Sequence, residues 1–130
     1  MSYGTAVTVD RPYADVVEQV REALREQGFG ILTEIDVQAT MREKLNEETG
    51  PHLILGACNP PLAYRALAAE PSIGLLLPCN VVVREDGDRT LVEALDPDIM
   101  VRVTGNPALE HVAAEAKARL AAALAAVAEA

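Results

Sequence analysis

The chain has no tryptophan, a single phenylalanine and three tyrosines among 130 residues. Its core must therefore be aliphatic, and half of the sequence is hydrophobic. Cations are scarce as well: 11 Lys and Arg stand against 20 Asp and Glu, for a net charge of −9. A phosphate backbone is gripped by Lys and Arg that release its counterions, and this chain has no basic stripe to do so. Nucleic acid is thus excluded as a partner. The same charge disfavours anionic membrane surfaces and otherwise serves solubility.

Long apolar runs are missing too. The most hydrophobic stretch, Ile73 to Val83, is too short to span a bilayer, and Pro78 and Asn80 interrupt it. The segment Met1-Ser2-Tyr3-Gly4-Thr5 lacks a basic region followed by an apolar core, so no signal peptide is expected. Two cysteines do not make a disulfide scaffold. The expected setting is the cytoplasm, with no membrane partner and both thiols reduced. No glycine-rich phosphate loop exists, because Gly28-Phe29-Gly30 lacks a third glycine and follows a helix rather than a strand.

What is present reads as one domain over residues 1–130. Residues 4–9 alternate as a short strand. Pro12 then opens a helix with Tyr13, Val16, Val17, Val20 and Leu24 on one face, and Gly28 ends it. Phe29 to Ile35 is a second strand. Asp36 caps a short helix with Val37, Met41 and Leu45 on one side. Leu53 to Cys58 is a third strand, and Asn59-Pro60 starts a helix that must end before Pro71. Ile73 to Leu77 fits a helical turn or an extended segment. Asn80 to Arg84 and Thr90 to Leu95 form a hairpin around Glu85-Asp86-Gly87-Asp88. Met100 to Val103 is ambiguous. Asn106-Pro107 starts a last helix with a stripe of Leu109, Val112, Ala116, Leu120, Leu124 and Val127. Interleaved helices and strands with a late hairpin predict an α+β fold: two layers, a mainly antiparallel sheet covered by helices.

Three segments carry a resemblance: Gly28-Phe29-Gly30-Ile31-Leu32-Thr33-Glu34-Ile35-Asp36, Ile54-Leu55-Gly56-Ala57-Cys58-Asn59-Pro60, and Leu75-Leu76-Leu77-Pro78-Cys79-Asn80-Val81. In order and spacing they resemble the family called domain of unknown function 302. The resemblance implies a compact two-layer fold with an antiparallel sheet, in a family found mostly in bacteria and archaea. It implies no activity and no functional residues.

Two Cys-Asn pairs, Cys58-Asn59 and Cys79-Asn80, are the sparse chemistry of this chain. Cys58 precedes the helix cap Asn59, where a helix N-terminus lowers a thiol's pKa. The bland alternative is a small buried hydrophobe at a strand end. Cys79, after Pro78, reads more simply as core. The spacing of 21 residues between them fits neither a redox CxxC nor a four-ligand zinc site. Adding His52 and Met100 would make a soft set for Cu(I) or haem iron, but no spacing supports it, and no metal is assigned. Asn59 and Asn80 serve as cap and turn amides, or orient a ligand. His52 and His111 read as surface histidines, Arg65 as solvated or ion-paired, and Glu34 with Asp36 as an exposed strand position and a cap. The leading expectation is a small-molecule ligand or a thiol reaction in a pocket of Cys58, Asn59, Cys79 and Asn80. The competing one is a non-catalytic interaction module, a homodimer whose cysteines are packed and inert. No cofactor and no catalytic residue is assigned.

Overall fold

A computed structural model describes residues 2–130. Strand β1 (Gly4–Val9) is followed by helix α1 (Tyr13–Glu26), β2 (Gly30–Asp36), α2 (Val37–Leu45), β3 (His52–Cys58) and α3 (Pro60–Ala69). A 3-10 turn (Pro71–Leu76) leads into the hairpin β4 (Cys79–Asp86) and β5 (Arg89–Leu95), then α4 (Asp98–Thr104) and α5 (Glu110–Glu129). The α+β expectation holds. The five strands form one sheet in the order β1-β5-β4-β3-β2, and each neighbouring pair is antiparallel.

Local signals explain the boundaries. The Asp36 carboxylate accepts from the Ala39 amide at 2.9 Å, and the Asn59 amide oxygen accepts from the Leu62 amide at 3.3 Å, so both helices are capped as read. Gly28 ends α1 at φ +85°, a left-handed conformation that lets the Phe29 amide reach back to the Leu24 carbonyl at 2.9 Å. The ambiguous Met100 segment is helical. The last helix begins with a 3-10 turn, Pro107–Leu109, because the Asn106 side chain accepts from the Ala108 amide at 2.9 Å.

Helices α1 and α5 pack on each other and on one face of the sheet. The stripe on the last helix is buried throughout, from Leu109 to Val127. Its second half joins α1 and the inward strand residues Leu55, Val81, Val83 and Val92 in one aliphatic cluster. A second cluster gathers Leu62 and Ala66 of α3, Ile73, Met100 of α4, and Leu109 and Val112. The side proposed for α2 behaves differently: none of its residues is buried, and Leu45 is 65% exposed. That helix lies against β2 and β3 without reaching the core.

The other face of the sheet carries no such cover. Strand alternation and register place Thr8, Leu91, Arg84 and His52 in one row there. Ala6, Glu93, Val82, Ile54 and Ile35 form the next. None of these nine residues is buried. Below them Gly56 is buried, and a Cβ there would stand 2.1 Å from Thr33 Oγ1 and 2.8 Å from Pro78 Cγ. Glycine is required because Thr33 and Pro78 close over the strand at that point.

Candidate functional site

Ala57 of β3 stands opposite Cys79 of β4, which brings the ends of both strands, and therefore both cysteines, to one edge of the core. Cys58, Asn59 and Cys79 line a single small cavity with Phe29, Leu62 and Met100. The cavity lies where the two aliphatic clusters meet, since Phe29 and Cys79 belong to one and Leu62 and Met100 to the other. Both cysteines are free thiols.

Its volume is about 30 Å³. A water needs about 10–15 Å³ on this measure, so there is room for one or two waters or a single ion. Cavities that take organic ligands run from about 300 Å³ upward. None of the residues lining this one is charged.

The thiols are shifted against nucleophilic use. Burial holds the Cys58 pKa above its ordinary value. The raised value runs against the lowering expected beside a helix N-terminus, and its cause is loss of water around the sulfur. Burial, with the nearby Cys58 adding to it, pushes Cys79 from its ordinary 9.0 to about 11. At neutral pH both remain protonated thiols.

Asn80 does not share this cavity. Strand alternation turns it to the uncovered face, where it lines a wider hollow of about 270 Å³ with Tyr3, His52, Val82, Glu93 and Leu95. The four residues expected around one pocket are thus divided three to one. His52 lies on the same uncovered face, so it cannot join the cysteines, whereas Met100 does. Met100 was not placeable from sequence, because α4 reaches the ends of β3 and β4 only through tertiary packing. Among the described residues no three of His, Cys, Asp and Glu gather as metal ligands. His111 is exposed, Arg65 pairs with Glu115 at 3.1 Å, and Glu34 pairs with Arg21.

A second constellation occupies the uncovered face. The Arg84 guanidinium donates from Nε to Glu93 Oε1 at 3.0 Å, across β4 and β5 and amid the aliphatic side chains of Val82, Ile54 and Leu91. Both partners are partly screened from water. The edge strand β2 is poorly suited to pairing with another strand. Its register slips between Ile31 and Thr33, and Glu34 and Asp36 add charge.

The model of the family described as Domain of unknown function DUF302 matches residues 5–127. All three segments that carried the resemblance lie inside that range. Three solved chains match. One is the crystal structure of an uncharacterized conserved protein DUF302 from Bacillus stearothermophilus. It is 32% identical over 97% of this chain and 98% of its own, with a TM-score of 0.90. No curated protein matches. Neither the family description nor that neighbour's name states an activity. No helix among the described residues is long and apolar enough to cross a membrane.

Proposed function

We propose, for a chain that belongs to the DUF302 family, that it is a non-catalytic module that pairs with a second copy of itself through the uncovered face of its sheet. The observation that carries this reading is the face itself: two rows in which five of nine residues are aliphatic, Ala6, Leu91, Val82, Ile54 and Ile35, and none of the nine is buried. A sheet hydrophobic on both faces favours a partner on each.

The charge on that face favours a second copy as the partner. Repulsion between two chains of net charge −9 opposes association over most of the surface. The two rows hold one cation, Arg84, and one anion, Glu93. A two-fold axis through the face would bring each Arg84 towards the other copy's Glu93, a self-complementary arrangement. Five strands of about six residues span roughly 20 by 20 Å. Side-chain relief and the flanking Tyr3, which lines the hollow on this face, raise the contact towards the 800 Å² or so per partner of an ordinary interface.

The cavity beside the cysteines is too small for an organic substrate, which fits a module without a reaction of its own there. The test is sedimentation of Val82→Glu and Ile54→Glu. Each is expected to give a folded monomer where the wild type is a dimer. If both variants remain dimeric and fold normally, the sheet face is not the interface.

A further inference from the structure

The cavity at the junction of the two clusters has a lining that packing alone does not require. Three of its residues carry sulfur: Cys58 and Cys79 at the ends of β3 and β4, and Met100 of α4. They come from three elements, and chain distance alone would not have joined Met100 to the cysteines. No carboxylate and no imidazole lines the cavity. Asn59 is the one polar side chain there, and its amide oxygen is committed to the Leu62 amide.

That donor set is selective. Hard cations such as Mg²⁺ and Ca²⁺ take six or more oxygen ligands, and the one side-chain oxygen here already accepts from the Leu62 amide. Structural Zn²⁺ takes four ligands, nearly all of them thiolate, imidazole or carboxylate, and only two are on offer. Soft d¹⁰ monovalent ions accept thiolates and a thioether in low coordination number. The volume of about 30 Å³ matches one ion and excludes a cluster or an organic group. Cys79 is almost fully buried, whereas Cys58 is partly exposed, so an ion has a way in and solvent has access to one ligand.

We propose that Cys58, Cys79 and Met100 form a binding site for one soft monovalent metal ion, Cu(I) in the cell and Ag(I) as its redox-inert analogue. Binding replaces the two thiol protons by the ion: two S–H bonds break, two metal–thiolate bonds form, and two protons leave to solvent. No oxidant is required, because the ion arrives as Cu(I). The thioether of Met100 closes the third position without adding charge. The resulting anionic centre has its exposed side at Cys58, beside the N-terminus of the ten-residue helix α3, whose partial positive charge opposes the excess negative charge. This site is independent of the sheet-face dimer, and neither requires the other.

The experiment is an anaerobic titration of the full chain with Cu(I) against a chromophoric chelator, with X-ray absorption on the loaded protein. One ion per chain and a shell of three sulfurs are expected. Met100→Leu preserves volume and fold, so it should lower the sulfur count to two and weaken affinity at least about tenfold. Cys79→Ala should abolish stoichiometric binding, with a thermal melt showing that the variant is folded. In case that variant does not fold, Ag(I) added to wild type labelled at the methionine methyls should shift the Met100 resonance. Failure to compete with the chelator, or affinity unchanged in Met100→Leu, would overturn the site. So would an unmoved Met100 methyl.

Discussion

Arg84 and Glu93 face each other at 3.0 Å on the side of the sheet opposite α1 and α5. Side-chain exposures of 33% and 25% place them partly out of water even in the single chain. A surface ion pair is worth little for stability, about 0–1 kcal/mol, so its placement amid aliphatic neighbours is better understood through association. Reversing one partner, Arg84→Glu or Glu93→Arg, puts like charges together on each copy and doubles them across the axis. Dimer dissociation constants should rise at least tenfold or so, since like-charge juxtaposition costs several kcal/mol. The double reversal should restore dimerisation. Sedimentation equilibrium on the four proteins measures this.

The buried thiol of Cys79 predicts a particular alkaline sensitivity. Its folded pKa, about 11, lies above the ordinary 9.0. The unfolded chain therefore loses this proton first as pH rises, and folding stability is intact below about pH 9 and declines towards 11. A shift of this size corresponds to an upper figure of about 2–3 kcal/mol. Chemical denaturation at a series of pH values should show the decline in wild type, and Cys79→Ala should show a shallower one. Other groups titrate in the same range, so the difference between the two proteins is the quantity to read.

Gly56→Ala should be poorly tolerated. The added methyl would stand 2.1 Å from Thr33 Oγ1 and 2.8 Å from the Pro78 ring. Forcing bulk into a closed site costs about 1–3 kcal/mol. Combining it with Thr33→Ala removes the nearer contact and should recover part of the loss, whereas Pro78 retains the rest. Thermal or denaturant melts of the single and double variants give this coupling directly.

The last helix is integral to both clusters. Leu109, Val112, Leu120, Leu124 and Val127 are all at most 5% exposed. Burial of each is worth roughly 1.5–3 kcal/mol, so their sum rivals a domain's whole margin of about 5–15 kcal/mol. A chain ending at Gly105 should show no cooperative melt by circular dichroism.

The elements were legible wherever a local signal marked them. Asn59-Pro60 announced α3, Gly28 ended α1, and the hairpin around Gly87 emerged with strands longer than read, to Asp86 and from Arg89. The uncommitted regions were those whose local propensities conflict, such as Met100 to Val103, where tertiary packing decides. The site was half legible. Cys58, Asn59 and Cys79 meet because β3 and β4 are neighbours in register. Asn80 was misgrouped because adjacent strand residues point to opposite faces, and a dipeptide read as one unit conceals that. The helical spacing of Val37, Met41 and Leu45 suggested a buried side that α2 does not have, since periodicity identifies a face but not what it meets. The uncovered sheet face could not be read at all, because burial on one side becomes visible only when the helices are placed.

The central claim is that two copies meet through this face, and the mass of the wild-type particle tests it most directly. Sedimentation equilibrium across a dilution series at moderate salt should give twice the 13.8 kDa of the chain, falling to a monomer only on strong dilution. A mass of 13.8 kDa at every concentration, with the protein folded, would contradict the account.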